Sequence, residues 1–316
     1  MLTDTTRIRA LARAMITGYA THYPEESFAV EAVEEEFVAK IRNPETGAES
    51  RSFYLAGKVD ALIRRAGVLW LKEHKTAATI DGAYIDRLWG DFQTTLYAWA
   101  VEQVRGEPVA GVVYNVIAKA GLRPYEAGKK RKADETEDEF AARLAGWYAD
   151  PKAYHREELL IAPAREDVLR AELWELTQAL LDARLRNVWY QNPSQCFQWG
   201  HPCAYWPICR SCDNSNVIDN DFRHADVHEE LSPETDHGDR KCTTYSMWAA
   251  FRDCRRRYYW RYERQIVPLA RPDEKLILGI IVHAALAAWH KSRDLAAALA
   301  VIDTESGKSP DQPLAF

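Results

Sequence analysis

The chain has 316 residues, 47% hydrophobic and 28% charged, with a formal net charge of −6. That is enough for one large or two modest folded domains, and it excludes a disordered polar chain. No run of about 18 apolar residues exists to span a membrane, and the net charge gives no global field for nucleic acid, so any basic surface must be local.

In chain order, "RIRALARAMITGYA" reads as a first helix over about 7–22. It lacks the apolar core and cleavage site of a signal peptide, which predicts a cytoplasmic protein. "SFAVEAVEEEFVAKI" has the partial alternation of a strand, and "RNPETGAES" has turn composition. "SFYLAGKVDALIRR" and "VLWLKEHK" follow as strands, joined by a tight turn at Ala66–Gly67. A helix over about 86–104 carries a stripe of Leu88, Phe92, Leu96, Trp99 and Ala100. "PVAGVVYNVIAK" is a buried-type strand, and residues 119–150 read as a solvated charged loop. A late strand, "AYHREELLIAP", is expected to bring Arg156 near the candidate site of Asp60, Glu73 and Lys75, and a long amphipathic helix follows it. Residues 213–241 are acidic with almost nothing to bury, which predicts a flexible linker. An aromatic-rich helix then resumes, "LILGIIVHAALAAWHKSRDLAAALAVI" gives one or two more, and residues 304–316 read as a disordered tail.

Two features carry chemistry. Asp60 ends one strand, while Glu73 and Lys75 lie two apart, and so on one face, near the end of the next. Two carboxylates facing one pocket repel unless a cation lies between them, and an oxygen-rich site of this kind suits Mg²⁺ or Mn²⁺. The plain alternative is a surface Glu73–Lys75 ion pair with an unrelated Asp60. The second feature is the cysteines: none occurs before Cys196, and Cys196, Cys203, Cys209 and Cys212 then cluster, followed by Cys242 and Cys254. In a cytosolic chain such clustering favours a metal over disulfides.

"GKVD", "EHKT" and "QTTLY" together resemble the PD-(D/E)XK nuclease superfamily, in its RecB-like branch with the Q-x-x-x-Y motif. The resemblance implies an α/β restriction-endonuclease-like fold, a central mixed sheet flanked by helices with a Cys-rich metal-cluster region. It makes Asp60 and Glu73 metal ligands, Lys75 the catalytic lysine, and Gln93 and Tyr97 residues that position the site and the strand. The family's opening cysteine helix and glycine–histidine helix are missing before residue 57. "TYSMWAAFRDCRRRYYWRY" and "LGIIVHAALAAWH" resemble them after the acidic stretch, which makes His283 a metal ligand. The implied order is rotated. Residues 1–212 form the main part, 213–241 join, and 242–303 complete the domain in cis; a neighbouring chain or a truncated tandem gene are the competing explanations.

The same resemblance implies a [4Fe–4S] cluster on Cys196, Cys203, Cys209 and Cys254, with Zn²⁺ as the alternative metal. A local zinc knot of Cys196, Cys203, Cys209 and Cys212 is the rival set. Arg255, Arg256 and Arg257, interleaved with aromatic rings, and the run Lys129, Lys130, Arg131 are candidate DNA contacts. The expected activity is divalent-metal-dependent cleavage of DNA by an exonuclease of phage or bacterial recombination and repair. Its substrate would carry single-stranded ends, and a helicase or recombination protein is the expected partner, in the cytoplasm of a bacterial or phage-infected cell. The alternative is a catalytically impaired nucleic-acid-binding accessory protein.

Overall fold

The computed structural model describes residues 3–128, 133–198, 200–226, 231, 239–269 and 274–307. In chain order the elements are α1 (Asp4–His22), β1 (Ala29–Arg42), β2 (Glu49–Arg65), β3 (Val68–Ala77), α2 (Gly82–Trp89), α3 (Phe92–Arg105), β4 (Val109–Ala118), α4 (Glu137–Tyr148) and β5 (Tyr154–Leu160). They continue with α5 (Pro163–Arg186), α6 (Trp206–Arg210), α7 (Ser215–Asp221), β6 (Phe222–His224), β7 (Lys241–Thr243), α8 (Tyr245–Asp253), α9 (Arg255–Tyr258), β8 (Ile266–Pro268), α10 (Glu274–Ser292) and α11 (Leu295–Ser306). The chain divides into two compact units. One is Met1–Glu35, Lys58–Ile161 and Pro272–Phe316, and the other is Glu36–Gly57 and Ala162–Arg271.

The first unit is built on a mixed sheet of strand order β1-β2-β3-β4-β5. The β2–β3 hairpin fixes its chemistry. Ala66 and Gly67 take φ of +47° and +83°, the paired positive values of a type I′ turn, so Arg65 faces Val68 and the register runs to Ala61 opposite Lys72. One step further, that register puts Asp60 beside Glu73. β3 then pairs parallel with β4, and β4 antiparallel with β5. Along β4, Tyr114 bonds Asp91 and Thr94 at the start of α3, whereas its neighbour Asn115 meets His74 on the opposite face. α3 therefore covers one face of the sheet. α1, α4, α10 and α11 share an apolar core around Ile16, Leu144, Ile281, Leu286 and Ile302, joined by Ile117 of β4. Each such side chain contributes about 1.5–3 kcal/mol by leaving water.

In the second unit the first part of β2 pairs parallel with β7, Tyr54 lying opposite Cys242. β6 and β8 form a two-stranded ribbon over a small core of Tyr205, Ile208, Phe222, Trp260 and Ile266. Gly57, just before the Asp60 segment, is where the Phe37 ring crosses β2: a Cβ there would lie 2.5 Å from that ring.

Five sequence expectations need correction. Residues 119–150 are not all loop. Thr136 and Glu139 form a reciprocal capping box that starts α4, and Phe140, Leu144 and Tyr148 bury one stripe of it. The helix expected over 86–104 is two, because Gly90 closes α2 and Asp91 caps a fresh start at α3. The expected linker 213–241 begins with structure. α7 and β6 fold because Phe222 finds the small core, while 227–230 and 232–238 lie outside the described residues. The aromatic-rich helix after the linker breaks at Cys254, which adopts an extended φ of −160° between α8 and α9. Of the expected tail, α11 takes 304–306, and 308–316 lie outside the described residues.

Replacing Phe140 by Ala should lower unfolding stability by about 3–5 kcal/mol, and Thr136 by Ala by about 1 kcal/mol, both measured by urea unfolding. A solvated loop would show neither loss.

Candidate active site

The three strand-end residues come together in the first unit. The backbone N–H of His74 donates to Asp60 Oδ2 at 2.7 Å, and His283 Nδ1 of α10 lies 3.5 Å from the same oxygen. Lys75 Nζ donates to Glu73 Oε1 at 2.7 Å and to Gln93 Oε1 at 3.0 Å. The Tyr97 hydroxyl pairs with Gln93, one helical turn back along α3. All five residues expected from the N-terminal motifs thus meet, and a histidine from the far end of the chain joins them.

The electrostatics follow from burial and from like charges. Burial alone would raise Asp60, but His283, the His74 N–H and Lys75 outweigh it and hold the carboxyl below its ordinary value. Glu73 goes the other way. Burial and then the Asp60 charge push it up to about 7, against the pull of Lys75. Burial works against the Lys75 ammonium, yet Glu73 and Asp91 more than compensate and its pKa is raised, so it stays charged. His283 is likewise raised: burial opposes its charged form, and Asp60 wins. His74, on the other face of β3, is held well below its ordinary value by burial and then by neighbouring positive groups, so its ring is neutral.

The donor set is that of a hard divalent cation: two partly shielded carboxylates whose mutual repulsion needs a positive charge, with one imidazole beside them. As placed, the groups face one another in pairs, Asp60 to His283 and Glu73 to Lys75. Among the described residues, no three His, Cys, Asp or Glu side chains converge closely enough to hold an ion.

One residue of the site escaped the motif reading. Asp91 caps α3 by accepting from the Gln93 N–H at 2.9 Å, accepts the Tyr114 hydroxyl at 3.1 Å, and adds to the field on Lys75. Its signal was the Gly90–Asp91 pair, a helix stop followed by an N-cap. Arg156 does not face the site: it is bidentate to Glu26 behind the sheet.

In the second unit, Cys196, Cys203, Cys209 and Cys254 line one small cavity with Gln191, Asn192 and Tyr205. Cys212 is exposed and is not among the lining residues. Burial, then the Cys203 and Cys254 thiols, push Cys196 up, so the sulfurs sense one another. Of the basic candidates, Arg256 pairs with Asp213 and Arg257 with Asp253, while Arg255 stacks over the rings of Tyr190 and Phe251. Lys129, Lys130 and Arg131 lie outside the described residues. No helix among the described residues is long and apolar enough to cross a membrane.

A family model described as the PD-(D/E)XK nuclease superfamily matches residues 3–210 and 243–313. No curated protein and no solved structure matches the chain.

In the metal-free protein, Asp60→Asn should bring the Glu73 pKa down from about 7 toward, but not to, its ordinary value. Removing the neighbouring negative charge favours the carboxylate, while burial still opposes it. Carboxyl-carbon NMR titration of the two proteins checks this; an unmoved Glu73 would mean the two acids do not share one field.

Proposed function

From a chain that belongs to the PD-(D/E)XK nuclease superfamily, and so has the fold of metal-dependent phosphodiester hydrolases, we propose a specific enzyme. It is a RecB-like deoxyribonuclease, an exonuclease of phage or bacterial recombination and repair. The carrying observation is the meeting at Asp60: His283 from the C-terminal segment stands 3.5 Å from a carboxylate that also presses on Glu73. The C-terminal helix thus supplies what the segment before residue 57 lacks, which supports a circularly rotated domain completed in cis.

Asp60, Glu73 and His283 are the residues that would hold Mg²⁺ or Mn²⁺. When bound, such an ion stabilises the charge that develops on the phosphate under attack. The chain's own groups do the rest. Lys75, kept charged and aimed by Glu73 and Gln93, donates hydrogen bonds to the attacking water and to a phosphate oxygen. Tyr97 and Asp91 fix Gln93 from either side of the first turn of α3, so Lys75 has one orientation. Arg255, the one of its three neighbours without a carboxylate partner among the described residues, is the candidate contact for a strand with single-stranded character. Such ends would reach the enzyme from a helicase or recombination partner.

The cysteine cavity takes a [4Fe–4S] cluster on this reading, with a structural role. The supporting facts are that Cys254 lines the cavity with Cys196, Cys203 and Cys209, and that Cys212 does not. Four thiols around one space, with no carboxylate among the lining residues, suit iron–sulfur or zinc.

End-labelled linear DNA should be degraded with Mg²⁺ or Mn²⁺, and closed circles should be spared. Lys75→Ala, which removes a preorganised donor, should lower kcat by about 10²–10³, and His283→Ala should lower kcat as well. Cutting of circles would replace the exonuclease by an endonuclease, and DNA binding without any cleavage would leave an accessory binding protein. After anaerobic purification, Cys254→Ser should lose iron and sulfide while Cys212→Ser keeps both. Zinc in place of iron would identify the other metal.

A further inference from the structure

Behind the metal site, on the opposite face of β3, lies a second polar cluster that the proposed chemistry does not use. Lys72 and His74 alternate with Glu73 and Lys75 along the strand, so they point away from the site. Lys72 is fully buried, an uncommon place for a lysine. Its ammonium donates to Glu26 at 3.1 Å and to the Tyr19 hydroxyl at 3.3 Å, and it lies 4.4 Å over the Phe28 ring. Glu26 is also held by Arg156. From Tyr19 the network crosses to α10, where His290 Nε2 lies 3.3 Å from the hydroxyl.

His290 is buried and stands seven residues after His283, two turns along and on the same face of α10. The His74 ring stacks on His290 at 5.1 Å and meets His283 edge-on at 6.3 Å. His74 is fixed on its other side by Asn115, 3.2 Å from Nδ1, and its backbone N–H holds Asp60. One ring therefore touches both histidines of the helix, while its own peptide group grips the acid that His283 approaches. A packing role alone does not call for this arrangement. An apolar residue at 72 would cover the same surface without ordering Glu26, which Arg156 also holds, and one at 290 would do so without meeting the Tyr19 hydroxyl.

We propose that His290, with Tyr19, Lys72 and Glu26, is a positioning device for the metal site. It clamps α10 to the back of β3 so that His283 meets Asp60. The inference rests on the reading of Asp60, Glu73 and His283 as the metal-holding set. It makes His290, Tyr19, Lys72 and Glu26 determinants of metal affinity, acting through His74 and α10 rather than by touching metal or DNA.

The test compares wild type, His290→Phe, His290→Gln and Tyr19→Phe as full chains. Mn²⁺ affinity is measured calorimetrically without DNA, kcat and KM on linear DNA, and folding by circular dichroism. His290→Phe and Tyr19→Phe should weaken Mn²⁺ binding by about tenfold, the scale of outer-shell changes around a metal. kcat should fall at subsaturating Mn²⁺ with KM for DNA unchanged, and His290→Gln, which can still bond Tyr19, should recover most of the loss. Folded variants that lose thermal stability but keep Mn²⁺ affinity and kcat within about twofold of wild type would overturn the proposal. If His290→Phe fails to fold, Tyr19→Phe, which removes one hydroxyl, decides alone. Wild type that binds Mn²⁺ and cuts no DNA would defeat the nuclease reading, while the Mn²⁺ comparison would still decide the positioning role.

Discussion

Two carboxylates in one sheltered space set the terms for everything around them. Asp60 and Glu73 are brought together by a two-residue turn and an unbroken hairpin register, so the backbone leaves them no means of separating. Their repulsion appears as a Glu73 that resists ionising and an Asp60 that recruits a backbone N–H and an imidazole. The surrounding residues answer this one problem. Lys75 offsets Glu73, Gln93 and Asp91 aim Lys75, and α10 brings His283 to Asp60. A fold indifferent to chemistry would place at most one of these acids here, because an unpaired buried charge costs several kcal/mol.

The two faces of β3 divide the labour. One face carries Glu73 and Lys75, under the start of α3. The other carries Lys72 and His74 beneath α1 and α10, with almost no access to water. Strand alternation makes this separation cheap to encode: four consecutive residues, Lys72 to Lys75, serve two different environments. The cysteine cavity belongs to the other compact unit and has its own small core, so its thiols depend on Tyr205, Ile208 and Trp260 rather than on the sheet's acids.

How much of this was readable in advance varied with the range of the signal. Motif residues with fixed short spacing, Asp60 to Glu73 and Gln93 to Tyr97, were legible because turn length and helical period alone decide which side chains coincide. His283 was legible only through its Gly-x-x-x-His setting, since nothing local says that a helix near the end of the chain returns to β2. Elements bounded by polar caps were misread. Thr136–Glu139 and Gly90–Asp91 are strong start and stop signals, but charged neighbours masked them in a reading led by apolar periodicity. Residues 215–224 were assigned to a linker because their one buried anchor, Phe222, finds its partners in tertiary contact. Lys72, Tyr19 and His290 gave no warning at all. Each is an ordinary residue in its own segment, and only the meeting of three segments makes a network.

The contact between Tyr19 and His290 joins residues 271 apart in sequence, and this separation governs when the protein acquires its chemistry. Contacts so distant close late, since the entropy of the intervening loop must be met before they form. During synthesis at roughly 5–20 residues per second, the acids of β2 and β3 leave the ribosome on the order of tens of seconds before the helix that completes them. A nascent chain can already have its sheet while it still lacks the imidazole. α10 thus sets the moment at which Asp60 gains its imidazole neighbour, and a chain released early through a premature stop codon would build its sheet without it.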